Sequence, residues 1–163
     1  MHSLVIGRFQ PLHKGHVQML EYAASKSTFL VIGVGSCNRQ DTFENPFLAQ
    51  EREQMIKESL EFEIPYELRR IPDFDDDQKW IGWISENIHF DTLMSNSELE
   101  QNIFRGGGFN VLDIPFYDRQ KLSSTEVRKK MIEGGDWMSL LPAGTLKIIE
   151  EIDGVERVKK LSR

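Results

Sequence analysis

Apolar positions along the chain recur with two periods. Ser3-Leu-Val-Ile-Gly7 is short, almost wholly apolar and closed by glycine, the pattern of a strand covered on both faces. From Gly15 to Lys26, Val17, Leu20, Tyr22 and Ala23 fall at helical spacing. Phe29–Val34 repeats the strand pattern, and the polar stretch Gly35–Glu44 reads as a loop. Pro46 suits the first turn of a helix running through Ala49 to Leu60, with Met55, Ile56 and Leu60 inward. Tyr66–Ile71 predicts a weaker strand stopped by Pro72. Asp75-Asp76-Asp77 then opens a helix carrying Trp80, Ile81, Trp83, Ile84 and Ile88, its negative charge complementing the helix dipole. Thr92–Ser95 is a short strand. Glu98–Phe104 is a short helix that Gly106-Gly107-Gly108 stops, and Asn110–Phe116 is a fifth strand. Ser124–Glu133 forms a helix closed by Gly134-Gly135, and a last helix follows Pro142 and ends near Gly154.

Strand and helix alternate five times without a repeat, low-complexity tract or linker. This predicts one α/β domain over residues 1–163: a Rossmann-like, doubly wound, parallel five-stranded sheet with helices on both faces and a short C-terminal helical extension. Ligands of such folds sit beyond the carboxyl ends of the strands, where strand order reverses. The residues just after Ile6, Val34, Ile71, Met94 and Pro115 are the ones to inspect.

Charge narrows the partners. Against 26 Asp and Glu the chain carries 20 Lys and Arg, a net charge of −6, which argues against long nucleic acid. The single Cys37 can form neither an internal disulfide nor a cysteine metal cluster, which points to a reducing compartment. The longest apolar stretch, Phe29–Val34, is too short to span a membrane, and Arg8, Gln10, His13 and Lys14 break any signal-peptide core. The expectation is a cytoplasmic domain with a small-molecule task.

Two segments could carry chemistry. The loop after the first strand reads Gly7-Arg8-Phe9-Gln10-Pro11-Leu12-His13-Lys14-Gly15-His16. His13 and His16 share a face on a helical first turn, Gly15 allows close backbone approach, and the helix N-terminus offers free N–H groups to an anion. Arg8 and Lys14 add positive charge, so the loop suits a polyphosphate. The two histidines could instead be half of a zinc site, for which the remaining ligands are hard to find, or caps of their own helix. The second segment is Leu122-Ser123-Ser124-Thr125-Glu126-Val127-Arg128. Ser123 with Glu126 makes a capping box, which alone would describe a surface helix. Its place after the fifth strand and the nearby Arg119, Lys121 and Arg128 suggest several phosphate charges instead.

Together the segments resemble the nucleotidyltransferases that pair H-x-G-H with I-S-x-T-x-x-R, with Leu122 in place of the isoleucine. Asn45-Pro-Phe-Leu-Ala-Gln-Glu-Arg52, Trp80, Gly134-Gly-Asp-Trp137 and Gly154-Val-Glu-Arg157 bring the resemblance closer, to the archaeal type of nicotinamide-nucleotide adenylyltransferase, over nearly the whole chain. The resemblance implies adenylyl transfer from ATP to the 5′-phosphate of nicotinamide mononucleotide, giving NAD and pyrophosphate. It implies a divalent cation, usually Mg²⁺, held through the ATP phosphates rather than by protein metal ligands, and a homo-oligomer. It places His13, His16 and Arg119 at the reacting phosphates, with His16 stabilising the transition state. Arg8, Lys14, Gly15, Ser124, Thr125 and Arg128 would hold the ATP phosphates. Trp80 would stack on the nicotinamide ring, with Asp77 and Asp73 at the same pocket; the alternative for Trp80, beside Trp83, is a core aromatic.

The departures concern the base. Asp77 stands where many such proteins have an asparagine, so the pocket should repel the carboxylate of nicotinic acid mononucleotide and favour the amide, unless Asp77 only starts its helix. Gln50 and Ser124 replace glycines without removing an acid–base group. Rival readings are a cytidylyl- or adenylyltransferase acting on another phosphate acceptor, and a non-catalytic nucleotide-binding module. Cys37 reads as structural and Gly106-Gly107-Gly108 as a turn rather than a dinucleotide fingerprint.

Overall fold

The computed structural model describes residues 1–115 and 122–163. Arg119, Lys121 and Phe116 lie outside the described residues. Five strands, β1 (His2–Gly7), β2 (Phe29–Val34), β3 (Tyr66–Arg70), β4 (Thr92–Ser95) and β5 (Asn110–Asp113), form one sheet in the order β3-β2-β1-β4-β5. Every pairing is parallel. The helices between them are α1 (Lys14–Ser25), α2 (Ala49–Ser59), α3 (Asp77–Asn87) and α4 (Glu98–Gly106). After β5 come α5 (Ser124–Glu133), a 3₁₀ turn at Met138–Leu140, α6 (Ala143–Glu151) and α7 (Gly154–Leu161). No described helix is long and apolar enough to cross a membrane.

The strand period of two explains the layering. Val5, Leu30 and Ile32 face one core with Leu20 of α1, Met55 of α2, Val127 of α5 and Ile149 of α6. Their neighbours Leu4 and Val31 face the other core, with Ile81, Ile84 and Ile88 of α3 and Phe104 of α4. A sheet covered on both sides needs strands without polar alternation, and β2 is buried at five of its six positions. Strand order reverses between β1 and β4, which pair through Ser3–Thr92 and Leu4–Leu93. The crevice at this switch point opens above the carboxyl ends of those two strands.

Three expected boundaries differ. Pro46 precedes the helix instead of entering it: Leu48 is the N-cap of α2, and its N–H donates to Glu51 Oε1 at 2.7 Å. The fifth strand ends at Asp113, although the Ile114 N–H still reaches the Ser95 carbonyl. The chain does not end its helical part near Gly154. Asp153 adopts the left-handed conformation (φ 53°) and breaks α6, and Gly154 begins α7. A Cβ on Gly154 would lie 3.2 Å from both Phe47 and Ile149, so the glycine lets α7 fold back onto the domain rather than stopping it.

Candidate active site

The first turn of α1 is capped by its own histidines. His13 is the N-cap, and its Nδ1 accepts the His16 N–H at 3.3 Å. His16 Nδ1 accepts the His13 N–H at 3.1 Å. The imidazoles stack with centroids 3.6 Å apart and planes 21° off parallel. The capping reading of the pair is therefore correct as far as it goes, and it has a chemical consequence. Each Nδ1 accepts, so each ring carries its proton on Nε2 and has that N–H as its remaining donor. Burial lowers the His13 pKa from 6.5 to about 4, and burial together with the adjacent His13 holds His16 well below its ordinary value. The site thus presents two neutral donors in fixed orientation. Gly15 serves packing as much as ligand approach, since a Cβ there would meet the His13 ring at 3.0 Å and Leu122 at 3.1 Å.

Two buried arginines hold this turn from behind. Arg52 of α2 is fully buried. Its guanidinium donates to the carbonyls of Arg8 (2.7 Å), Gly35 (2.6 Å), Phe47 (3.1 Å) and Ser36 (3.4 Å), joining the ends of β1 and β2 to the start of α2. Gln10 is buried too, and its amide brackets Phe47 through both N–H and C=O. Arg128, expected at the ATP phosphates, is 1 % exposed. Its Nη1 donates to the Gln10 carbonyl at 2.6 Å, its guanidinium lies 5.2 Å over the Phe43 ring, and its Nε is buried with no hydrogen-bond partner among the described residues. Arg157 of α7 adds a tie from the C-terminal extension, gripping the Glu51 carboxylate at 2.6 and 2.9 Å and the Pro46 carbonyl at 3.1 Å.

Two cavities open at the carboxyl edge. The larger, about 490 Å³, lies at the switch point, with His13, Gly15, His16 and Arg8 on one side and Ser95 and Glu100 on the other. The second, about 320 Å³, lies between the N-terminal ends of α3 and α4 and is lined by Trp80, Asp77, Asp73 and Glu100 among others. Ser97 and Glu100 line both. Trp80 keeps part of its surface at this second cavity while its edge meets the Phe104 ring at 5.6 Å, so it is at once a core and a cavity residue. Asp76, not Asp77, is the N-cap of α3, accepting from Gln78 N at 2.6 Å, which leaves the Asp77 carboxylate to the cavity. Asp73 accepts from Ser36 Oγ at 2.9 Å and pairs with Arg39 at 3.5 Å, tying the loops after β2 and β3 together.

The expected residues divide accordingly. Arg8, His13, Gly15 and His16 converge on the first cavity, and Asp73, Asp77 and Trp80 on the second. At the second motif, Leu122 and Ser123 line the first cavity, whereas the Ser124 hydroxyl is spent on the Pro11 carbonyl at 3.0 Å. Thr125 and Lys14 are exposed and stand outside the lining of either cavity, as does the buried Arg128. Sequence reasoning missed Arg52, Gln10 and Glu100. Nothing in a single sequence marks a charged helix residue as buried. Only the place of Arg52 in the Asn45–Arg52 stretch hinted at a role.

The histidines couple the site to acid stability. Between pH 6.5 and about 4 the unfolded chain takes up a proton that folded His13 refuses. The contribution of His13 is therefore complete above pH 6.5 and falls by about 3 kcal/mol as the pH drops to 4. Glu100 acts oppositely in an overlapping range: burial raises its carboxyl from 4.5 to about 7, which favours the folded state at the lower pH. His13→Asn keeps a cap but removes the titration. Urea unfolding at pH 6.5 and at pH 4.5 should show a smaller acid loss in His13→Asn than in the parent. Equal losses would mean that His13 does not titrate this way.

A cytidylyltransferase-like family model matches residues 4–130. The nicotinamide-nucleotide adenylyltransferase of Methanococcus maripaludis (strain C6) is 37 % identical over 164 aligned positions, covering 99 % of this chain and 96 % of the relative. That of Methanolobus tindarius is 39 % identical and covers 99 % and 94 %. The chain belongs to the nicotinamide-nucleotide adenylyltransferase family. The match to these adenylyltransferases spans both motifs and runs on through α6 and α7, past the end of the family model. A bifunctional NMN adenylyltransferase/ADP ribose pyrophosphatase of Francisella tularensis, crystallised with AMP and a manganese ion, shares the fold with a TM-score of 0.80 at 22 % identity. The likeness covers 98 % of this chain and 51 % of that one, so the chain spans about half the length of that solved protein.

Proposed function

We propose that the protein transfers the adenylyl group of ATP to the 5′-phosphate of nicotinamide mononucleotide, releasing pyrophosphate and forming NAD. The observation that carries this reading is the joining of two cavities along one wall at Ser97 and Glu100, one with the histidine pair and Arg8, the other with Trp80. Such a pair of cavities suits a triphosphate and a mononucleotide whose phosphates must meet. Rival acceptors such as phosphoalcohols have no ring for Trp80 to stack on.

In the reaction an oxygen of the mononucleotide phosphate forms a bond to the α-phosphorus, and the bond from that phosphorus to the bridging oxygen breaks, the electron pair leaving with pyrophosphate. No covalent intermediate on the protein is needed, so catalysis is positioning and charge stabilisation. The Nε2–H donors of His13 and His16 hold the phosphoryl oxygens, and His16 donates where charge grows in the transition state. Because both rings stay neutral, these donors need no protonation step near pH 7. Arg8 supplies positive charge to the phosphates, joined by Arg119 and by the helix N-termini of α1 at Gly15 and of α5 at Ser123. Arg128 acts from underneath by fixing the Gln10 carbonyl and thus the loop before His13. A divalent cation held through the ATP phosphates, Mg²⁺ by preference, would offset the triphosphate charge beside Arg8 and the histidine pair. Among the described residues no group of three His, Cys, Asp or Glu is placed to hold a metal ion.

The second cavity fits the amide base. Asp73 and Asp77 line it, and Arg39 already pairs with Asp73. A nicotinate carboxylate would meet like charge there, whereas the carboxamide N–H₂ can donate to Asp77. Incubation with Mg²⁺-ATP and, in parallel, nicotinamide mononucleotide, nicotinic acid mononucleotide and other phosphate acceptors tests the proposal. NAD and pyrophosphate are expected from the first, and no dinucleotide from either mononucleotide would overturn it. Trp80→Ala should raise the KM for the mononucleotide about tenfold with the KM for ATP little changed, the scale of one lost stacking partner. An unchanged mononucleotide KM would leave Trp80 as a core aromatic only.

A further inference from the structure

Glu100 has no role in the chemistry described so far, yet its placement is specific. It sits in the first turn of α4, three residues after the N-cap Ser97, directly beyond the carboxyl end of β4. Among the described residues only it and Ser97 line both cavities. A mononucleotide that lays its base on Trp80 and its phosphate against His16 must pass its sugar along this shared wall. The Ser97 hydroxyl is already engaged as the α4 cap, accepting the Glu100 N–H at 3.3 Å. The Ser95 hydroxyl accepts the Ser97 N–H at 3.0 Å. That leaves the Glu100 carboxyl as the group on the wall with acceptor capacity to spare.

Resting on the function proposed above, we infer that Glu100 reads the sugar of the mononucleotide, its carboxyl accepting hydrogen bonds from the ribose hydroxyls as the substrate crosses from one cavity to the other. A carboxyl suits this task in either protonation state, because both forms keep an acceptor oxygen. Its position also has a cost, since burial raises its pKa to about 7. A carboxyl held at such a disadvantage in a cleft is the kind of group that serves a ligand rather than the fold. A site built around a substrate hydroxyl rejects the analogue lacking it strongly, because the buried acceptor is then left unpaired.

The test uses the full chain and nicotinamide mononucleotide with its 2′-deoxy and 3′-deoxy analogues, read by titration calorimetry without ATP and by steady-state kinetics. The parent should bind at least one deoxy analogue about tenfold to a hundredfold more weakly than the parent mononucleotide. Glu100→Ala should weaken binding of the natural mononucleotide by a similar factor and bind the natural and deoxy ligands nearly equally, with the KM for ATP changed less than about twofold. Glu100→Gln, which is nearly isosteric and keeps an amide acceptor, should retain part of the discrimination. Discrimination in Glu100→Ala equal to that of the parent, or a rise in the KM for ATP alone, would overturn the assignment while leaving the function intact. A parent that neither binds the mononucleotide nor forms NAD would overturn the function, and this inference with it.

Discussion

His16→Ala is expected to lower kcat by a factor of about a hundred or more, the scale for losing one donor to developing charge. The KM values should move little, because the interaction strengthens only in the transition state. The His16 ring also accepts the His13 N–H, so its loss weakens the α1 cap by about 1 kcal/mol. A melting curve taken beside the kinetics separates the two effects. A folded His16→Ala protein with near-parental kcat would remove His16 from the reaction. His16→Asn sharpens the comparison, since the amide can replace the cap acceptor at N3 but reaches less far into the cavity. Its stability should recover while its turnover does not.

Arg52→Met should destabilise the fold by about 3 kcal/mol or more, measured as the urea midpoint at unchanged slope. Methionine fills much of the volume but leaves the carbonyls of Arg8, Gly35, Ser36 and Phe47 without their donor. Arg52 is a buried cation neutralised by carbonyl dipoles rather than by a carboxylate, and burial lowers its pKa to about 10. Removing that charge relieves some desolvation, which is why the loss should stay below the sum of four broken bonds. Arg52→Lys keeps the charge but cannot fan out to four acceptors, so it should recover only a minor part. A loss under about 1 kcal/mol in Arg52→Met would show that the loops hold without it.

The sheet and most helices were legible because their signals are local. Leu4-Val5-Ile6 and Leu30-Val31-Ile32 are continuous apolar runs that suit a sheet covered on both faces, and Ser123 and Gly134 mark the ends of α5. The tail was less legible. Gly154 resembles a helix stop in sequence, but the packing of Phe47 and Ile149 around it makes it the start of α7. The candidate site was legible where a motif names it, as at Arg8, His13, Gly15, His16 and Trp80. At Arg128 and Ser124 the motif did not show that their polar groups turn inward to the Gln10 and Pro11 carbonyls. A motif records which residues stand near a ligand edge, not which of them point outward.

By itself the sequence determined the α/β alternation, the family resemblance and the placing of a cationic, histidine-bearing turn within an acidic chain. These follow from hydrophobic period, glycine and cap positions and residue identity, all readable over short spans. Tertiary structure alone decided the strand order that puts the crevice between β1 and β4, the reciprocal capping that makes both histidines neutral Nε2–H donors, and the burial of Arg52 and Arg128 as scaffold. It also decided the wall at Glu100 that joins two cavities. Each of these depends on segments far apart in the chain coming together, and protonation and burial are set by that enclosure rather than by the residue itself.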